Sequence, residues 1–156
     1  MKTELTWRGG VAWNACSTSG HTITLDGSPQ IGGQNLGARP MELVLKGLCG
    51  CSAMDVMSIL KKQRQGVSAA RITADAERSD EVPAVFRKIH MTFDFSGASL
   101  KTSAIKRAVD LSVNTYCSVA KMLSPTVEIT YAIILNSVTV DVSGCDNLRE
   151  NDGNER

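Results

Sequence analysis

Aromatic residues are scarce in this chain, at 4% of 156 residues. Base-stacking platforms are built from such side chains, so single-stranded nucleic acid is not an expected partner. An excess of one charge is missing as well. Lys and Arg number 17 against 16 Asp and Glu, a net charge of +1. That balance offers neither nucleic acid nor an anionic membrane an electrostatic handle. Histidines number only two, which leaves a zinc site of mixed His and Cys ligands short of donors. Cys49 and Cys51 cannot chelate one ion from a regular helix, because two steps turn the chain by about 200°. No stretch approaches the ~20 uncharged apolar residues of a membrane span. The segment MKTELTWRGGVAWNA at the N-terminus has no apolar run of the signal-peptide kind. The expected compartment is the cytoplasm, where thiols stay reduced. Five cysteines are an odd number. They argue against a fully paired disulfide framework and leave room for a catalytic or sensing thiol.

What is present is enough apolar material, 42% of residues, for a sizeable core. One domain is expected over residues 1–143, with residues 144–156 forming a charged, disordered tail. The most informative stretch is Pro40 to Gln65, which reads as one long helix. Pro40 suits the first helical position, and Glu42 supplies an acid to the first turn. Lys61, Lys62 and Arg64 place cations near the end, and Gly66 is placed to stop the helix. Leu45, Leu48, Met54, Val56, Met57, Ile59 and Leu60 make most of its circumference apolar, as in a buried helix. Its middle is small, with Gly47, Gly50, Ser52 and Ala53 around Cys51. Two helical glycines cost about 1 kcal/mol each relative to alanine, and they mark a place where another backbone comes close.

Before that helix, Thr3, Leu5 and Trp7 alternate with polar residues as a half-buried strand. Turns at Gly9-Gly10 and Ser19-Gly20 separate it from strands at Val11–Ser17 and His21–Leu25. Asp26 to Arg39 is a long loop, of a length that suggests a function. After the helix, Ala70, Ile72, Ala74 and Ala76 alternate, then Ile89, Met91, Phe93 and Phe95, with His90 on the wet face. A second helix covers Leu100–Val113, broken at Asn114-Thr115 before a short piece, Tyr116–Leu123. Val127–Ile133 and Val138–Val142 form the last strands about a turn at Asn136-Ser137. The fold class is α+β with antiparallel sheets.

Cys51 and Cys117 each fall on a helix. A thiol does redox chemistry as thiolate, and a peroxide-reducing pair needs a second cysteine near enough to condense with the sulfenic acid of the first. Buried structural cysteines are the plainer reading of the same two residues. If the second helix breaks before Cys117, that residue opens a new helix, whose dipole would favour its thiolate. Cys16, Cys145, His21 and His90 are read as ordinary, and Ser52 lacks a base partner for hydrolysis.

The run Pro-Met-Glu-Leu-Val-Leu before Cys51-Ser-Ala-Met-Asp-Val, with Tyr116-Cys117-Ser-Val-Ala far downstream, resembles the OsmC/Ohr family, in its YhfA-like branch. The likeness spans roughly Leu5 to Leu135 and includes SGH and LDG within Ser19–Gly27 and RAVDLS at Arg107–Ser112. It implies an OsmC-like fold, with antiparallel sheets wrapped around two central helices in an intertwined homodimer. It implies a thiol peroxidase of organic hydroperoxides in which Cys51 attacks and Cys117 resolves. No metal or organic cofactor is implied; a dithiol, possibly lipoyl-type, serves as reductant. Two departures stand out. Family peroxidases carry a glutamate directly after the proline, where this chain has Met41. Glu42 is nine steps from Cys51, about half a turn out of phase. The family arginine follows two glycines, whereas here Arg8 precedes Gly9-Gly10; Arg8 and Arg39 are the candidate cations. Asp55, four residues after Cys51, shares its helix face, and a carboxylate there works against a thiolate unless a cation pairs with it. The alternative is a non-catalytic dimer of the same fold that binds a small apolar ligand or senses redox state.

Overall fold

The computed structural model describes residues 1–144; most of the expected tail, with Cys145, lies outside the described residues. The chain divides into two compact units, Met1–Lys46 and Gly47 onward.

In the first unit, β1 (Thr3–Gly9), β2 (Ala12–Ser17) and β3 (Thr22–Leu25) form an antiparallel sheet in the order β1-β2-β3. The expected turn glycines take the left-handed conformation, Gly9 at φ 103, Gly10 at 54 and Gly20 at 83, which costs glycine nothing. Leu5 stands opposite Ala15, and Trp7 opposite Trp13, so the apolar residues gather on one face as the alternation requires. That face is not half-buried as expected. Leu5, Trp7, Trp13 and Ile23 are all exposed.

The loop after β3 is held by Asp26, which is 3% exposed. Its carboxylate accepts the backbone N–H groups of Gly27 and Gln34 at 2.8 Å each and of Leu36 at 3.0 Å. This side chain closes a thin loop upon itself rather than plugging a deep core. The N–H donors of Leu36 and Gln34 hold the carboxyl below its ordinary 3.8, against the opposing effect of burial.

Helix α1 (Pro40–Lys62) spans 23 residues. Leu48, Ser52, Val56 and Leu60, spaced by four, are its buried stripe. The helix stops before the expected Gly66. The N–H of Arg64 donates to Lys61 O and that of Gln65 to Leu60 O, both at 3.0 Å, the closure of a left-handed C-cap. Arg64, at φ 56, takes the position a glycine usually fills. On the opposite side of α1, Gly47 and Gly50 face open space, since a Cβ on either would meet nothing within 4 Å. The close backbone approach expected at the notch is therefore not made among the described residues. By length and composition alone α1 is long and apolar enough to cross a membrane, although Glu42, Lys46 and Asp55 keep it from being an uncharged run. Only the one stripe is buried and Met54 is 77% exposed, so the burial expected around most of the helix is not found in the single chain. Mid-helix Asp55 argues against a bilayer, where a carboxylate at the centre costs about 2.5–3.5 kcal/mol or more.

The second unit is built on β4 (Ala69–Arg78), β5 (Phe86–Ser96), β6 (Glu128–Leu135) and β7 (Val138–Gly144) in that spatial order. Ile89, Met91, Phe93 and Phe95 on β5 are buried, as are Ile129, Tyr131 and Ile133 on β6. Phe93 meets Tyr131 edge to face at 6.2 Å, a favourable aromatic geometry. The α+β class holds, with one departure from an antiparallel order: β5 and β6 are parallel. Between them run α2 (Thr102–Leu111) and α3 (Ser118–Leu123), and such a crossover returns the chain in the same direction. On the wet face, His90 is only half exposed. Its Nδ1 shares a 2.7 Å hydrogen bond with Thr130 Oγ1, a cross-strand partner that periodicity could not supply.

Asp26→Asn should lower the melting temperature at neutral pH, because the amide cannot accept all three donors. A carboxyl with a lowered folded-state pKa adds stability above its unfolded value of 3.8 and loses it as pH falls through the folded value. The gap between variant and wild type should therefore narrow as pH drops below 3.8. A constant gap in thermal scans across that range would contradict this role.

Candidate active site

The second helical run does break before the short last helix, but at Cys117 and not at Asn114-Thr115, which lie within a π-turn. α2 ends at Leu111, a π-turn covers Ser112–Tyr116, and Cys117 becomes the N-cap of α3. Such turns widen a helix by one residue and recur at functional positions. Side chains pin this one in place. Ser112 Oγ donates to the carbonyl of Ser52 on α1 at 3.3 Å, a buried bond across 60 residues of sequence. The Asp110 carboxylate accepts from Asn114 Nδ2 at 2.8 Å and from the Tyr131 hydroxyl at 3.3 Å. Burial, then the Asp110 charge, push the Tyr131 hydroxyl up to about 12.

These bonds deliver Cys117 to the middle of α1. The sulfurs of Cys51 and Cys117 and a carboxylate oxygen of Asp55 all lie within 4.8 Å of one another. Both cysteines are free thiols. Cys51 is half-buried, whereas Cys117 is 1% exposed. The Cys117 sulfur accepts the Ala120 N–H at 3.4 Å and lies 4.0 Å from the Leu48 carbonyl.

Position at the start of a helix was expected to favour the Cys117 thiolate. The opposite holds. Burial, the largest influence, pushes its thiol up, and neighbouring Cys51 pushes it further. The Ser52 hydroxyl and the Ala120 N–H pull the other way but do not prevail. Ser52 is the larger of these two lowering influences, although its Oγ is buried without a well-aligned hydrogen bond. Six residues of α3 carry only a small dipole, and desolvation outweighs it. Burial likewise raises the Cys49 thiol.

Of the remaining candidates, Arg39 and Glu42 meet each other. Arg39 Nη1 is 3.6 Å from Glu42 Oε1, and the Arg39 N–H donates to Glu42 Oε2 at 3.0 Å. The pair closes the start of α1, the position a first-turn acid fills well. Arg8 is exposed on β1. Asp55 takes part in none of the ion pairs of the described residues. It lines an open cleft of about 730 Å³ with Lys62, Arg107 and Tyr116. Sequence reasoning missed the two serines that set the geometry. Ser52 is legible afterwards, because it continues the four-residue spacing of Leu48, Val56 and Leu60. Ser112 carried no comparable signal.

A family description for OsmC-like proteins matches residues 32–132. Protein YhfA of Escherichia coli strain K12 is 42% identical over 132 residues, covering 85% of this chain and 96% of YhfA. Among solved structures, a hypothetical protein from Aquifex aeolicus VF5 is similar with a TM-score of 0.77 at 29% identity, over 86% of this chain and 95% of that one. An organic hydroperoxide resistance protein OsmC from Legionella pneumophila has a TM-score of 0.62 at 14% identity, over 86% and 97% of the two chains. At that identity the likeness concerns the fold.

Proposed function

The chain belongs to the OsmC-like family, and from that premise we propose that it reduces organic hydroperoxides through Cys51 and Cys117. The observation that carries this reading is the approach of the two sulfurs to within 4.8 Å. The Legionella relative in fold is described as an organic hydroperoxide resistance protein, which agrees with it.

The thiolate of Cys51 attacks one oxygen of the hydroperoxide, the O–O bond breaks, and the alcohol leaves after taking a proton. Cys51 is then a sulfenic acid. Cys117, ionised, attacks the Cys51 sulfur, and the sulfenic oxygen leaves as water. A dithiol of the lipoyl type reduces the resulting disulfide and becomes a disulfide itself. The division of labour follows exposure. Cys51 is the more accessible sulfur, and Cys117, kept protonated by burial, stays out of side reactions until an electrophilic sulfur stands beside it. Asp55, whose carboxylate lies within 4.8 Å of both sulfurs, is the charge nearest the pair; Arg8, Arg39 and Glu42 are the other supporting charges of the reading. A reducing compartment such as the cytoplasm suits all four described thiols.

The same reading makes the working unit a homodimer. Gly47, Gly50, Met54 and Met57 lie on one side of α1, away from its buried stripe, and Met54 is 77% exposed. Small residues flanked by exposed methionines suit a second copy of the helix. A second reading, a dimer that binds a small apolar ligand or senses redox state, draws on an open pocket of about 280 Å³. It lies between α1 and β4–β5, lined by Cys49, Ala53, Met57, Ile72 and Phe95 among others.

With cumene hydroperoxide and a dithiol, wild type should turn over continuously. Cys51→Ser should consume no peroxide, and Cys117→Ser should stall after one turnover. Undiminished turnover by Cys51→Ser would rule the reading out; absent turnover with a ligand retained in native mass spectrometry would favour the second. Gly50→Leu should leave the secondary structure intact, because among the described residues nothing lies within 4 Å of a Cβ there, yet it should shift the protein to monomers in sedimentation. An unchanged dimer would place the interface elsewhere.

A further inference from the structure

Asp55 is an anomaly that peroxide chemistry does not explain. Its Oδ2 is shut off from solvent and has no hydrogen-bond partner among the described residues. A buried carboxylate oxygen left without a donor or cation is costly. Yet the two groups nearest in chemistry are sulfurs that must themselves become anionic to react. Three potential anions within 4.8 Å, with no cation paired to Asp55, form an arrangement that a single divalent ion would satisfy at once.

We propose that Cys51, Asp55 and Cys117 form a binding site for a borderline-soft divalent ion of the zinc class. Cys51 and Asp55 present their ligand atoms from one face of α1, four residues apart, and Cys117 closes the set from the N-cap of α3. Around a tetrahedral zinc, with Zn–S about 2.3 Å and Zn–O about 2.0–2.2 Å, neighbouring donors stand roughly 3.3–3.8 Å apart. The present separations, 4.8 Å at most, close by about 1 Å to meet that. Two sulfurs and one carboxylate leave a fourth position for water, and Asp55 itself lines an open cleft. Lys62 and Arg107, also on that cleft, are the charges that oppose the ion. On binding, both thiols release their protons to solvent and ligate as thiolates, with no change of oxidation state. The ion and a hydroperoxide then compete for the same sulfur, so occupancy holds the pair in a reduced, unreactive form.

The inference shares residues with the peroxidase reading but needs no turnover, so each can fail alone. The test is a titration of the reduced full chain with cobalt(II), read by the thiolate-to-cobalt charge-transfer absorbance. The band should saturate at one ion per chain and collapse on adding zinc. It should be lost in Cys51→Ser, in Cys117→Ser and in wild type oxidised with diamide. Asp55→Asn should keep the fold by circular dichroism yet bind at least roughly tenfold more weakly. Zinc-loaded wild type should resist iodoacetamide at Cys51, the more accessible sulfur, while the zinc-free reduced chain is alkylated there, which checks competition independently of any variant. No band in reduced wild type, or a band unmoved by both Cys117→Ser and Asp55→Asn, would overturn the site.

Discussion

The structure of the site depends on one buried contact, the hydrogen bond from Ser112 to the carbonyl of Ser52. It ties the start of the π-turn to the residue next to Cys51. Everything downstream, the end of the turn, the N-cap and Cys117 itself, is placed from there. A carbonyl in mid-helix already accepts one intrahelical bond, and its second lone pair is free for such a partner. The arrangement brings together two thiols separated in sequence by β4, β5 and α2, without any covalent link. Asp110, Asn114 and Tyr131 brace the far side of the same turn.

Burial then gives the two sulfurs different characters. Cys117 is buried, which favours its neutral form, while Cys51 is only half-buried. Two identical side chains thus become unequal, chiefly through desolvation. A place at the start of a helix and a buried cysteine were both legible for Cys117; which of the two governs its thiol was not, because the π-turn sets its depth in a way that spacing along the chain does not reveal.

Much of the fold was legible. The alternation of β5 and β6, the length of α1, the hairpin turns and the break before Cys117 all follow from local chemistry. What escaped was set by distant partners. The end of α1 depends on Arg64 accepting a left-handed conformation, which composition argues against. The parallel pairing of β5 with β6 follows from the helical crossover, not from either strand. The partial burial of His90 comes from Thr130 on the neighbouring strand. The apolar face of β1–β3 reads as half-buried by periodicity, yet it is exposed in the single chain, because periodicity states which side seeks cover and not what supplies it. In the site, the cysteine pair was legible through its family motifs, and Asp55 through its helical spacing. The serines that position the pair were not, because a hydroxyl's partner depends on the tertiary path.

The central claim is that two thiols far apart in sequence are held close enough to bond on oxidation. Treatment of the reduced chain with one equivalent of cumene hydroperoxide, followed by digestion and mass spectrometry, tests it most directly. The account predicts one dominant cross-link, joining the peptide of Cys51 to that of Cys117. Oxidation that instead leaves Cys51 as a lone sulfinic acid, or that joins it to Cys49 or Cys16, would contradict it.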